Sequence, residues 1–219
     1  TAQPALQHYG GMHFHEGAQV GLYFSFVNQA PFEQESGLLG FYGANPSKVS
    51  GDFAPLLQDL EIFNATGVDL EVSLSVGNNL SFIDGDLRSP GNLPQVHVAL
   101  LENALPLGAG DASKVDGYAV AINRESTVFP VGDAQQYRPL ILEGAVFPLA
   151  RCAYFREDPN NPSTFPPFRT DLKPRTIEAV STREFWRLEG SSAGAVTLSW
   201  NPRSNLQELT DDPAKIVLM

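Results

Sequence analysis

The sequence predicts an all-β protein, with a β-solenoid-like segment over residues 1–110 followed by a β-sandwich over residues 111–219. Three observations carry that expectation. Helix-period apolar patterns are nearly absent, and the best candidates, residues 54–60 and 205–209, reach only one or two turns. Short period-2 segments rich in Val, Phe, Leu and Thr fill most of the chain, punctuated throughout by 19 glycines and 17 prolines. The first half also repeats itself. Leu39-Gly40-Phe41-Tyr42-Gly43, Leu60-Glu61-Ile62-Phe63-Asn64 and Leu80-Ser81-Phe82-Ile83-Asp84 share one pattern of apolar, variable, apolar, variable, turn former. A recurrence every twenty or so residues is what stacked β-coils produce, because each turn of a solenoid returns to the same lateral position.

Taken in order, the first strand is expected at residues 20–26. The three repeats follow, with further strands at 68–76 and 95–101. Gly51, Gly67, Gly77 and Gly85 stand where the corners of such coils demand positive φ. Gly108-Ala109-Gly110-Asp111-Ala112-Ser113 reads as a seam, after which the repeat stops. Beyond it, strands at 115–122, 136–143, 145–156, 183–189 and 195–200, closed by 215–218, read as the sandwich. Residues 158–167 carry four prolines and cannot be a central strand, because proline removes a ladder donor. They form a long surface loop, a place where function concentrates. Asn160 and Asn161 within it, with Phe165 and Phe168 at its end, are the candidate binding residues.

Charge narrows the function. Fourteen basic against 25 acidic side chains give a formal charge of −11, and only four of the basic residues are lysines. Nucleic-acid binding, which needs clustered cations against phosphate, is excluded. No stretch approaches the roughly 18 uninterrupted apolar residues of a membrane helix, so membrane insertion is not expected. A hydrophobic content of 42% with 14 phenylalanines argues against disorder. Cys152 is the one cysteine, so no internal disulfide can form. The chain opens on Thr1 without a Met, and residues 215–219 read as the middle of a strand, so it is expected to be a piece of a longer precursor.

Few side chains suggest chemistry. On a strand, His13 and His15 of His13-Phe14-His15-Glu16 would share a face and could hold one metal, with His8 or Glu16 nearby. The spacing fits neither a cupin nor a His-Glu-x-x-His pattern. Gly190-Ser191-Ser192-Ala193-Gly194 matches the nucleophile-elbow letters, but a β segment follows it and the last histidine of the chain is His97. A hairpin turn is the expected reading there. Asp84 with Asp86, and Asp211 with Asp212, lack the register of a calcium loop and read as solvated turns. Trp186, Trp200, Tyr137 and Phe129 could stack on sugars but are expected in the core. No cofactor is expected.

Several ordered blocks together are distinctive. Gly37-Leu38-Leu39-Gly40-Phe41-Tyr42-Gly43 with Val49-Ser50-Gly51, and Leu60 to Asn64 with Leu80 to Pro90, resemble a recurring opening in large surface proteins of the Bacteroidetes. Phe129-Pro130-Val131-Gly132-Asp133 with Tyr137-Arg138-Pro139-Leu140, and Glu184-Phe185-Trp186 with Thr197-Leu198-Ser199-Trp200, are similar to later blocks of the same proteins. The resemblance implies a gliding-motility or adhesin-like cell-surface protein exported by the type IX secretion system, and it carries over no catalytic residue. The physical reading of the Phe-Pro-Val-Gly-Asp block is a strand end closed by the Asp133 side chain, with Arg138 paired to Asp133 across the turn.

The function expected from the sequence is therefore a non-enzymatic, extracellular structural or adhesive module. It would engage other surface or secretion-system proteins, or a second copy of itself, through strand edges and loops. Polysaccharide is the alternative ligand, and a metalloenzyme at His13 and His15 is a further one.

Overall fold

Leu39, Leu60 and Leu80 stand in direct register on neighbouring parallel strands of the computed structural model, which describes residues 4–190 and 194–218. The chain begins with β1 (Ala5–His8), β2 (Gln19–Leu22), β3 (Ser25–Asn28), β4 (Leu38–Gly43), β5 (Ser47–Gly51) and β6 (Leu56–Asn64). It continues with β7 (Val68–Leu70), β8 (Leu74–Asp84), β9 (Leu87–Arg88), β10 (Val98–Leu100), β11 (Leu105–Leu107) and β12 (Val115–Asp116). Then come β13 (Ala119–Phe129), β14 (Val131–Asp133), β15 (Gln136–Tyr137), β16 (Leu140–Phe155), β17 (Phe185–Gly190) and β18 (Gly194–Leu198). Among the described residues, helix is confined to short 3₁₀ turns, and none is long and apolar enough to cross a membrane.

The strands alternate between two sheets. One has eight strands in the order β1-β3-β5-β7-β9-β12-β14-β15. The other has ten, β17-β16-β13-β10-β8-β6-β4-β2, with β11 beside β8 and β18 beside β16. From β1 to β14 every named ladder within this path is parallel, so the chain climbs as a solenoid. Inward residues stack in like-on-like rows between the sheets. Phe41, Ile62 and Phe82 form one row, and Val68, Leu87, Val115 and Val131 face it from the other sheet. Each such aliphatic side chain contributes about 1.5–3 kcal/mol by leaving water, and a row does so on both sides of every coil.

The repeats are thus coils, as expected, and the corners follow from their glycines. Gly51, Gly67 and Gly85 have positive φ. At Gly85 a β-carbon would overlap the Asn64 carbonyl, so only glycine lets the two chains approach there. Gly77 differs from expectation and lies within β8, beside the irregularity in its pairing with β6. The fully buried Asn64 fills its corner by donating to the Asn45 carbonyl at 3.0 Å and accepting from the Thr66 hydroxyl at 2.8 Å.

Several expectations are corrected. The helical turn at 54–60 is the start of β6, because Leu57 and Leu60 enter the inner rows. Strand 20–26 is broken by a bend at Tyr23 and Phe24, which moves the chain from one sheet to the other. The seam at 108–113 is a corner, and β12, β13 and β14 beyond it continue the same two parallel sheets. Among the described residues, the strands of 111–219 join the same two sheets, and a separate sandwich is not confirmed. The antiparallel strands β15 to β18 extend the solenoid sheets. Residues 215–218 form no strand: Lys215 ends the 3₁₀ turn Pro213–Lys215 and 216–218 follow it.

Among the described residues, β17 and β18, on either side of the hairpin expected at 190–194, do not pair with each other. Residues 191–193 lie outside the described residues, but β17 and β18 both pair antiparallel with β16 and lie end to end along its edge. β16 accommodates this with extra residues around Gly144 to Phe147, opposite the shift between Arg124 and Ser126 in β13.

Candidate functional site

The outer face of the ten-stranded sheet carries a row of rings. Side chains alternate in and out along a strand, so Tyr42 of β4 and Phe63 of β6, paired in register, both point away from the core. Tyr23, at the bend after β2, has its ring centroid 5.9 Å from that of Tyr42, and past Phe63 a register shift places Asp84 of β8 opposite it, with Ile83 exposed in the bulge. Tyr23 is 64% exposed, Phe63 49% and Ile83 48%. Neighbouring strands lie about 4.8 Å apart, so successive rungs form a ribbon along the solenoid axis.

Glycine makes the ribbon flat. A β-carbon at Gly40 would collide with the Tyr42 ring, and one at Gly21 would sit 3.0 Å from its Cδ2. The ring therefore lies over bare backbone. Tyr42 donates from its hydroxyl to Glu61 Oε1 at 2.7 Å. Burial, with that bond to a carboxylate, pushes the phenol up to about 12, so it remains a donor at every physiological pH. Beside this row runs a polar one. Asp59 Oδ1 accepts from Asn78 Nδ2 at 2.7 Å and from Asn79 Nδ2 at 2.9 Å, orienting both amides on the sheet. Aromatic faces beside fixed carboxylate and amide groups suit a ligand with apolar faces and hydroxyl edges.

The residues singled out in the sequence lie elsewhere. The His13-Phe14-His15 segment lies in no strand. Phe14 turns inward onto Phe32, 5.7 Å between ring centroids, and leaves both histidines exposed at the first coil. His8 is buried on β1 with its Nδ1 2.6 Å from Asn28 Oδ1. No group of three His, Cys, Asp or Glu side chains suited to a metal occurs among the described residues.

Phe165 and Phe168 fold the proline-rich loop onto β16 and β17. Phe165 meets Phe155 edge-on at 5.0 Å and Phe168 meets Phe185 at 5.4 Å, while the Arg187 guanidinium sits 4.6 Å from the Phe165 ring centre. These rings anchor the loop. Asn160 and Asn161 are exposed in a turn held by Asp158, whose side chain accepts the Asn160 N–H at 2.8 Å. Of the four sugar-stacking candidates, Phe129 is fully buried, Trp186 packs on Arg138, and Trp200 is 55% exposed on a separate surface.

Asp133 closes its turn as expected, accepting from Gln135 N and Gln136 N at 2.9 and 2.7 Å. Arg138 does not pair with it. Arg138 turns inward to Glu184, and Arg203 lies 3.8 Å from Asp133 instead.

The chain matches no protein-family model, no curated protein and no solved structure. The ring row was legible only in hindsight. Tyr42 and Phe63 occupy the variable positions of the repeat, and their alternation with Phe41 and Ile62 marks them as outward-facing.

Proposed function

We propose that this chain is a non-enzymatic adhesive module that works outside the cell and holds an extended polysaccharide along the outer face of its ten-stranded sheet. The observation that carries this reading is the row Tyr23–Tyr42–Phe63, with one ring seated flat on glycine and a polar row beside it. A repeating glycan offers apolar sugar faces at a regular rise, and a solenoid presents stacking rungs at a regular rise. Its hydroxyls would find Glu61, Asp59 and the two asparagine amides. The surface setting and the type IX export route rest on the resemblance of the sequence blocks to Bacteroidetes adhesin-like proteins.

The test is affinity electrophoresis through gels holding different neutral polysaccharides. Retardation by at least one, lost in Tyr23→Ala/Phe63→Ala with an unchanged circular dichroism spectrum, is the expected result. Equal retardation of wild type and variant would remove the face from the reading.

A second reading has its own observation. Among the described residues, β17 and β18 pair with no strand but β16, so their other edge offers backbone groups to an added strand. A surface protein, a secretion-system component or a second copy of this chain could add there. Proline substitution at Leu188 would then abolish co-purification of the partner and leave glycan retardation intact.

A further inference from the structure

Lys114 and Asp86 face each other inside the corner between β9 and β12. The Lys114 side chain is 0% exposed and that of Asp86 12%. The lysine Nζ lies 3.0 Å from Asp86 Oδ1, 3.2 Å from Oδ2 and 3.0 Å from the Asp111 carbonyl. The backbone N–H of Lys114 donates to the same Oδ1 at 3.1 Å. The lysine stem passes beside Gly132, where a β-carbon would displace it, so glycine clears its path into the corner.

We propose that this pair is a modification site, at which Lys114 Nζ condenses with the Asp86 carboxyl to form an intramolecular isopeptide bond. The geometry supplies the parts. An amine in contact with both oxygens of a carboxyl is within reach of the carbon between them, and holding it there replaces a bimolecular encounter. Oδ1, fixed by the Lys114 N–H, is the oxygen retained as the amide carbonyl, and that N–H stabilises the charge it gains in the tetrahedral intermediate. Oδ2 is the oxygen that leaves.

The balance is simple. Proton transfer within the ion pair gives a neutral amine and a neutral carboxylic acid, a change favoured where both are shielded from water. The C–N bond then forms, the bond from Cγ to Oδ2 breaks, and Oδ2 departs as water with its own proton and one from Nζ. No oxidant, reductant or co-reactant enters. Burial raises the Asp86 carboxyl despite its lysine partner, which favours the protonated acid the reaction needs.

The product would staple one coil to the next across 28 residues. A chain with one cysteine cannot staple itself with a disulfide.

Denaturing mass spectrometry of the purified chain tests this. The expected mass is about 18 Da below that of the sequence, one water lost. Trypsin should then leave residues 49–88 joined to 89–124, uncut at Lys114. A full-length mass with cleavage after Lys114 would overturn the proposal and leave an ion pair. Succinimide formation at Asp84-Gly85 or Asp116-Gly117 also loses water. A deficit that persists in Lys114→Arg would therefore overturn it too, whereas a restored mass supports it.

Discussion

Arg138 and Glu184, 46 residues apart in the chain, form a buried ion pair that joins two of the distinctive sequence blocks. The Arg138 guanidinium lies 5.5 Å from the Tyr154 ring centre and 5.1 Å from that of Trp186. Trp186 Nε1 donates to the Arg138 carbonyl at 2.9 Å, Tyr154 donates to Glu184 Oε2 at 2.6 Å, and Arg138 donates to Ser204 Oγ at 2.8 Å. β16, β17 and the 3₁₀ turn Pro202–Ser204 thus converge on one guanidinium where the parallel coils give way to antiparallel strands.

Breaking that pair should be expensive. Glu184→Gln leaves a buried cation without its counter-charge, and the expected loss is about 3–5 kcal/mol, read from the urea midpoint. Replacing both partners, as Arg138→Met/Glu184→Leu, should recover part of the loss by removing the orphaned charge. A single variant costing under about 1 kcal/mol would show that the guanidinium reaches water.

The inner rows should dominate stability. Leu60, fully buried between Leu39 and Leu80, is expected to cost about 2–5 kcal/mol as Leu60→Ala. Leu105, half exposed on the outer face of β11, should cost under about 0.5 kcal/mol as Leu105→Ala. Thermal denaturation of the two variants decides it, and equal shifts would contradict the burial pattern.

The coil repeat could be read from sequence because Leu39, Leu60 and Leu80 mark a register that the backbone must keep. The later coils could not be read this way. β9 and β12 hold only two residues each, too few to show a period, and β10 packs Val98, Ala99 and Leu100 with all three buried, which erases alternation. The pairing of the strands on either side of 190–194 was hard to read for a related reason. Glycine-rich residues between two strands look alike whether the chain turns back or runs on along the edge of a third strand. Lys114 was invisible because a lysine beside a glycine-rich corner reads as solvated, and only its Asp86 partner, 28 residues away, explains its burial.

His97 sets an acid limit on stability. Burial lowers its pKa below the usual 6.5, with Pro94 and Gln95 carbonyl contacts only partly offsetting it. The unfolded chain then binds more protons than the folded one as pH falls through that value, so this contribution is full above about 6.5 and fades toward lower pH. The urea midpoint of wild type should drop more between pH 7.5 and pH 5.5 than that of His97→Gln. Parallel profiles would show that the imidazole protonates freely in the fold.

Gly40 offers the sharpest test of the ring row, because it changes the face without removing a ring. A β-carbon at this position meets the Tyr42 ring, so Gly40→Ala must lift the phenol from the sheet and break its bond to Glu61. Alanine is otherwise no burden to a strand, since glycine is itself unfavourable in strand interiors. The melting temperature should therefore change little. Retention on the polysaccharide that binds wild type should fall about tenfold, the equivalent of one aromatic contact at about 1.4 kcal/mol. Undiminished retention would mean that the ligand does not read Tyr42 as a flat platform, and a large fall in melting temperature would make the ring part of the framework instead.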